Sequence, residues 1–398
     1  MFDNLRNNSK IIVYIVVAAF VVTGGLMGFG SYMNQGNPRD NNPSSQYIAK
    51  VNDKGITPQQ FLSVLRNSSS QADNLTQAEV IPFRLKVLNS MIEREILLSE
   101  AEEMGIEVEV DDESIENRID EILEENNLTE DELIDNLESQ DYTYDQFKAD
   151  IRESLVNSEK IGKVKESTYS NIEVTEDEIQ DAYEEKYEDS EDKPELEEVR
   201  SDIKETLLTQ KQNDVYDNWL ENKKTEANVT INDPVLFAYN ALDQEDYEVA
   251  IESFENIIEN DNDSASLFIY LAQAYTGADQ YEDALETYNT AIEEYPENWE
   301  LRINFGDYYA EREENEKAIK QYNQASELAG NNYYAHYQLF MAFNNIGASD
   351  EAEREMQKVT EIQEERQNQQ QTEEPSEDSS SDSSSIEEEL EKSNPDNN

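Results

Sequence analysis

Residues that could carry acid–base, nucleophilic or metal chemistry are scarce in this sequence. The chain has 398 residues, with no cysteine and a single histidine, His336. The absence of cysteine excludes disulfides, thiol catalysis and cysteine-ligated zinc. A serine–histidine–aspartate triad would have to be built on His336, but its surroundings, NNYYAHYQLF, are typical of a helix in a repeat. We therefore expect His336 to be a packing or surface residue, and we predict no catalytic residue.

Phosphate-binding and metal-binding loops are not indicated either. Glycine is scarce, at 12 residues, and no P-loop or dinucleotide fingerprint occurs. In residues 259–264, ENDNDS, several side chains carry oxygen atoms that could bind calcium. The stretch lacks the glycine and the closing glutamate of a calcium-binding loop. We interpret this stretch as a turn between helices, and we expect neither a cofactor nor a bound metal.

The overall charge narrows the class of partner. Asp and Glu number 92 against 30 Lys and Arg, for a net charge of −62. A chain with this much negative charge repels the phosphates of nucleic acid, because nucleic-acid binding requires basic side chains that replace counterions. So much like charge also opposes compaction at ordinary ionic strength, whereas molar salt shortens the screening length to about 3 Å. We predict no nucleic-acid role and, as a hypothesis, a halophilic source.

Residues 11–30, IIVYIVVAAFVVTGGLMGFG, form an uncharged apolar run. At about 1.5 Å per residue, a helix of this length can cross a hydrocarbon core of about 30 Å. A cleaved signal peptide is the alternative, but the run is longer than a usual signal-peptide core and no Ala-x-Ala-like site follows it. Arg6 and Lys10 precede the run, so the positive-inside rule leaves residues 1–10 cytoplasmic. We predict a single-pass anchor in the plasma (inner) membrane, with the bulk of the chain outside the cytoplasm.

The first folded region is predicted to begin at Tyr47. Residues 31–46 are rich in Asn, Pro and Ser and suit a flexible linker. YIAKV followed by NDKGIT indicates a short strand and a turn. Thr57 can then cap a helix, with Pro58 at its first position and Gln60 completing a capping box.

Amphipathic helices follow from Ala78 onward. Gly105 occupies the position of a left-handed carboxyl cap. Asp111 or Asp112, Thr129, Thr143 and Thr175 are suited to begin the later helices. The apolar residues recur at helical spacing, first at Leu85, Leu88, Ile92 and Ile96 and last at Leu208, Val215, Tyr216 and Trp219, which we expect to be core residues.

Several segments resemble the amino-terminal domain of SurA-like chaperones and the related membrane-anchored PpiD and PrsA proteins. The segments are VNDKGITPQQF, then residues 87–115, 142–161 and 174–189, in the family's order. Residues 196–231 resemble the family's long return helix and closing strand. The resemblance implies a SurA-like helical chaperone domain with a small β element over residues 47–231.

The sequence departs from fuller members of that family after residue 187. Those members carry a parvulin-type prolyl isomerase domain at this point, with histidines lining its site. Here only residues 189–194 intervene, and they contain no histidine. We therefore predict that the chain is not an enzyme.

A 34-residue period begins after Asp233. Ala250, Ala284, Ala318 and Ala352 keep it, as do Phe254, Tyr288, Tyr322 and Met356. This pattern resembles tetratricopeptide repeats, helix pairs in which a small residue permits close approach beside an aromatic side chain. We predict about four repeats, forming an α-solenoid over residues 232–366.

The resemblance also implies a concave groove lined by the first helix of each repeat. The corresponding positions are Tyr239, Ile269, Gln273, Ile303, Asp307, Tyr337 and Met341. A groove that clamps a carboxyl terminus needs Lys, Arg and Asn, whereas these residues are mostly apolar or aromatic. An apolar peptide or the chaperone domain itself is the better candidate occupant, and packing between repeats is an equal alternative.

These predictions combine into one architecture: an all-α protein with an anchor (11–30), a linker (31–46), a SurA-like domain, repeats, and an acidic Ser-rich tail (367–398) predicted to be disordered. The implied function is an ATP-independent holding chaperone for exported unfolded polypeptides, with repeats that bind clients or a partner such as a translocation or envelope complex. The alternative is an envelope-assembly scaffold that binds a folded partner through its repeats.

Overall fold

A three-stranded antiparallel sheet joins the two ends of the first folded region. In the computed structural model, which describes residues 46–68, 75–139, 142–169, 172–188, 193–260 and 264–373, β1 (Ala49–Val51) lies between β2 (Lys54–Ile56) and β3 (Val229–Ile231). Lys50 is opposite Gly55 on one side and Thr230 on the other. The turn between β1 and β2 contains Asn52 in the left-handed region, with φ 53°. The sheet thus ties residue 49 to residue 231, as expected of a closing strand.

Seven helices lie between β2 and β3 in the described residues. They are α1 (Pro58–Asn67), α2 (Val80–Glu103), α3 (Asp112–Asn126), α4 (Glu130–Glu138), α5 (Tyr144–Thr168), α6 (Glu176–Tyr187) and α7 (Leu196–Glu226). The predicted capping box is present at Thr57, and Thr129, Thr143 and Thr175 begin their helices as expected, each also with a capping box, while Gly105 has φ 66° beyond α2. Helix α5 extends past the resembling segment 142–161 and ends at Thr168.

The apolar residues of these helices divide among separate clusters. One contains Ile115, Ile119, Leu133, Leu137 and Phe147 from α3, α4 and α5. A second joins Leu97, Ala101, Val164 and Leu220 from α2, α5 and α7, and a third joins Ile179, Tyr183 and Ile203 from α6 and α7. Each cluster is small, so much of the length of α5 and α7 contributes little to a buried core.

Within the described residues, eight helices follow β3 and form pairs. They are α8 (Pro234–Asp243), α9 (Tyr247–Glu259), α10 (Ala265–Gly277), α11 (Tyr281–Glu294), α12 (Trp299–Glu311), α13 (Asn315–Ala329), α14 (Tyr333–Asn345) and α15 (Ser349–Glu373). The chain divides into two compact units at Thr287 and Tyr288, within α11. The first unit therefore contains the sheet, α1–α7 and α8–α10.

In the first unit, α8 and α10 are attached to the preceding helical region. Arg84 on α2 forms an ion pair with Asp233 at 3.1 Å, and both side chains are mostly buried. The Tyr270 hydroxyl on α10 donates a hydrogen bond to the carbonyl oxygen of Ala78. Helix α8 also packs along α2. The first repeat therefore packs directly against the preceding sheet and helices.

In the second unit, α12–α15 pack around one continuous core. It contains Ile303, Ala318, Tyr322, Ala325, Leu339, Phe343 and Ala352. A Cβ atom placed on Gly306 would lie 2.2 Å from the ring of Tyr322, so the small residue is required by the close approach of α12 to α13. This is the packing that the 34-residue period predicts.

The predicted anchor, linker and most of the acidic tail lie outside the described residues. Within the part of the chain that is described, no helix combines the length and the apolar character that a membrane span requires.

Candidate functional site

A groove with a volume of about 540 Å³ lies beside β3 in the first unit. Helix α2 contributes Ile92 and Glu93 to its walls, α7 contributes Glu221 and Lys224, and α8 contributes Phe237, Asn240 and Asp243, while β3 forms the remaining side. Ile92 is buried, but the Phe237 side chain is 40% exposed. The groove therefore combines apolar surface, polar side chains and a strand.

The local sequence explains why α8 lies so close to β3. Only Asn232 and Asp233 separate the strand from the helix. The Asn232 N–H donates to the Ile48 carbonyl oxygen at 2.6 Å, which extends the pairing of β3 with β1. The Asp233 carboxylate then caps α8 by accepting from the N–H groups of Val235 and Leu236, with Pro234 at the first helical position.

The strand that lines the groove is at the edge of the sheet. Asn52 N–H donates to the Asn228 carbonyl oxygen, and Asn232 N–H to that of Ile48. Since hydrogen-bonded and non-bonded pairs alternate along an antiparallel ladder, Thr230 is bonded to Lys50. The backbone groups of Val229 and Ile231 consequently point away from β1, towards the free edge.

Acidic charge predominates around the groove. Lys224 Nζ lies 2.7 Å from Glu93 Oε1, so these two charges offset each other. Glu221 and Asp243 are exposed, and neither forms an ion pair within the described residues. A bound peptide would therefore meet an excess of negative charge.

The seven predicted concave-groove positions differ in exposure. In the first unit, Ile269 is buried, Tyr239 and Gln273 are half-buried, and Tyr239 meets Tyr270 edge-on at 4.7 Å between ring centroids. These residues are largely occupied by contacts with neighbouring helices. Their assignment to a peptide groove stays a prediction.

In the second unit, Ile303 is buried and Asp307 is half-buried, whereas Tyr337 and Met341 are 42% and 45% exposed. The last two are one helical turn apart on α14 and present an apolar surface. Asp307 accepts a hydrogen bond from the Tyr322 hydroxyl at 2.7 Å. Burial raises the pKa of Asp307 to about 6, although the bond from Tyr322 acts in the opposite direction.

Apolar surface is also exposed on the long helices of the first unit. Val215, which we expected to be a core residue, is 40% exposed, and Tyr216 and Trp219 are only half-buried, stacked at 6.1 Å between ring centroids. Met104, after the end of α2, is 45% exposed. The expectation that Val215 is a core residue is wrong, because the helices that could cover α7 contact it over short segments only.

His336 is buried and serves the fold of the second unit. Its Nδ1 lies 2.6 Å from Glu355 Oε2, and its Nε2 lies 2.8 Å from the Gly330 carbonyl oxygen. Glu355 also accepts hydrogen bonds from Ser326 Oγ at 2.8 Å and Lys358 Nζ at 3.2 Å. Burial raises the pKa of Glu355, but these three partners outweigh it and lower the pKa below its ordinary value. Both ring nitrogens are thus committed to structural contacts.

No group of three or more His, Cys, Asp or Glu side chains is placed to hold a metal ion, as far as the described ranges extend. That part of the chain therefore contains no candidate metal-binding cluster.

Comparisons with known proteins match both halves of the chain. A family described as SurA-like N-terminal domain matches residues 1–161, and one described as tetratricopeptide repeat matches residues 241–302 and 276–342. A solved structure titled "Crystal structure of MamA" aligns at 21% identity over 34% of this chain and 81% of that one, with a TM-score of 0.27. A search of curated proteins finds no match.

Proposed function

We propose that this chain, which carries a SurA-like N-terminal domain followed by tetratricopeptide repeats, is a membrane-anchored holding chaperone that works without nucleotide. Its clients are exported polypeptides that have not folded. The anchor is the apolar run at residues 11–30, and the chaperone region lies on the outer side of the plasma membrane. Prolyl isomerisation is not part of the proposal.

The observation that carries the proposal is the sparse burial along α5 and α7. These helices have 25 and 31 residues, yet only Phe147 and Val164 on α5 and Ile203 and Leu220 on α7 are buried. A holding chaperone needs apolar surface for unfolded chains within a strongly charged, soluble exterior. The partly exposed face with Val215, Tyr216 and Trp219 supplies such surface, and the net charge of −62 supplies the exterior.

The direct test is suppression of aggregation of a chemically denatured client by the full-length chain in molar salt. We expect the wild type to suppress light scattering at near-stoichiometric ratios, without ATP. A Met104→Gln/Val215→Thr variant should suppress less, because both exposed apolar side chains are replaced by polar ones of similar size. The matched control, Thr206→Gln at an exposed polar position of α7, should act like the wild type. Equal scattering with and without the wild-type chain would refute the proposal.

A scaffold for assembly of envelope proteins is the second candidate, favoured by the exposed pair Tyr337 and Met341 on α14. In that case the repeats bind a folded partner and the SurA-like region is a spacer. Stoichiometric capture of one folded envelope protein, lost in Tyr337→Ser/Met341→Ser and unaccompanied by aggregation suppression, would support the scaffold.

Two sequence-based expectations bear on the same experiments. If the source is halophilic, circular dichroism should show the helices forming in molar salt and weakening in dilute buffer, because salt screens the like charges. Unchanged melting at low salt would contradict this.

A prolyl peptide should isomerise at its uncatalysed rate, over tens of seconds, in the presence of the chain.

A further inference from the structure

We propose that the groove beside β3 binds an extended client segment, apolar with basic residues, as a fourth strand of the sheet. This inference rests on the proposed function and specifies one site and the chemistry of its ligand. The bound segment would pair with the free edge of β3 and place its side chains between α7 and α8.

The backbone of β3 provides the pairing groups. The Val229 N–H donates to the Ala227 carbonyl oxygen at 3.1 Å. The Val229 carbonyl and both backbone groups of Ile231 point away from β1 and have no hydrogen-bond partner within the described ranges. An edge with free donors and acceptors is a template for another strand, and peptides are recognised in this way by strand addition.

The groove provides room for that strand. Paired strands lie about 4.8 Å apart, so a fourth strand would lie directly in the space bounded by β3 and the helices. The volume, about 540 Å³, is within the range of about 300–1,000 Å³ for binding pockets. Phe237 and Ile92 offer apolar contacts, and alternate side chains of an added strand would point towards and away from them.

The negative side chains around the groove indicate which kind of segment can bind there. Glu221 and Asp243 lack ion-pair partners in the described part of the chain, while Lys224 is offset by Glu93. A segment bearing Lys or Arg would complement this surface. The chain's own tail is acidic, and its linker, SYMNQGNPRDNNPSSQ, is nearly free of apolar residues. Neither has the composition that the groove favours, so we assign the edge to another polypeptide.

The test measures fluorescence anisotropy of a labelled peptide of about seven alternating Val and Lys residues added to the full-length chain. A second peptide carries the same side chains, but its edge-facing amides are N-methylated. We expect saturable binding of the first peptide and at least a tenfold loss for the second, because methylation removes the hydrogen-bond donors and leaves the side chains. Equal binding of both peptides would overturn strand addition.

Two variants locate the site. Asn240→Trp should fill the groove and weaken binding at least tenfold, whereas Thr206→Trp, on an exposed polar part of α7, should not. Glu221→Lys/Asp243→Lys keeps the groove open and should also weaken binding, with circular dichroism confirming that each variant folds. Unchanged binding by both groove variants would overturn the assignment.

The remaining outcomes separate this inference from the proposed function. A dimer that Asn240→Trp abolishes, with no peptide binding, would give the edge to a second copy of the chain and overturn the inference. Aggregation suppression without any binding of the peptide would do the same while leaving the chaperone function intact. Peptide binding lost in Asn240→Trp, without aggregation suppression by the wild type, would support the site and remove the chaperone function.

Discussion

Helices α7 and α10 lie in the same compact unit and differ sharply in how their residues are used. Helix α7 has 31 residues, of which Ile203 and Leu220 are buried. Helix α10 has 13 residues, of which nine are buried. The repeat helix contributes nearly all of its surface to packing, whereas most residues of the longer helix α7 are not buried.

The difference has a physical origin in the neighbours of each helix. A helix inside a repeat array is covered on several sides, and its small residues allow close contact, as Gly306 does beside Tyr322. Helix α7 contacts α2 and α5 in one small apolar cluster and α6 in another. Substitutions in the repeats should therefore change stability, and substitutions on α7 should chiefly change binding.

The largest expected effect is at His336 in the second unit. His336→Ala removes a buried aromatic side chain and its hydrogen bonds to Glu355 and to the Gly330 carbonyl oxygen, and truncating a large buried side chain to alanine costs about 3–5 kcal/mol. Unfolding should be followed by the fluorescence of Trp299, which packs against this core, in a Trp219→Phe background. The control Tyr337→Ala, at the adjacent exposed position, should cost under about 0.5 kcal/mol. Equal midpoints for the two variants would contradict the buried pair.

A smaller effect, of opposite sign in the two regions, is expected from the same substitution at two glycines. Gly306→Ala should destabilise the second unit by about 1–3 kcal/mol, because the new Cβ would collide with the buried Tyr322 ring. Gly162→Ala on α5, where nothing lies within 4 Å of the new Cβ, should stabilise by about 0.5–1 kcal/mol through helix propensity. Trp299 reports the first and Trp219 the second. Destabilisation by both glycine substitutions would contradict the difference in packing between the repeats and the long helices.

The smallest effect is at Asp307 and depends on pH. Its pKa is raised to about 6, so the folded chain binds this proton more tightly than the unfolded chain. Stability associated with Asp307 is full below its unfolded pKa and is lost as pH rises through about 6. Asp307→Asn keeps an oxygen acceptor for Tyr322 and should stabilise by about 1–2 kcal/mol at neutral pH, with the gain disappearing near pH 4. Thermal melts at both values provide the measurement, and a gain that does not depend on pH would contradict it.

Local signals in the sequence predicted where several helices start and how the repeats recur. Capping boxes such as Thr57 with Gln60 act over three residues, and the alanines of the repeats recur every 34 residues, so both are visible along the chain. The small β element was also predicted, because YIAKV and the turn after it are local features.

Several features that depend on distant residues were not predicted, although the family resemblance implied the closing strand that forms β3. The groove beside β3 exists only because residues 229–231 pair with residues 49–51. The Glu355 partner of His336 lies on the following helix, and no local pattern marks it. Val215 has the spacing of a core residue, yet its exposure is decided by which helices reach α7. Periodicity indicates an apolar face, but only the fold determines what covers it.

The most direct test of the central claim, that the partly covered face of α7 contacts unfolded clients, is site-specific photo-crosslinking. A benzophenone side chain is placed at Val215 on that face or at Thr206, an exposed polar position of the same helix, and an unfolded client is added to the full-length chain in molar salt. The account predicts strong crosslinks to the unfolded client from position 215, weak ones from position 206, and none to the same client once folded. Equal crosslinking from the two positions, or none from position 215, would contradict it.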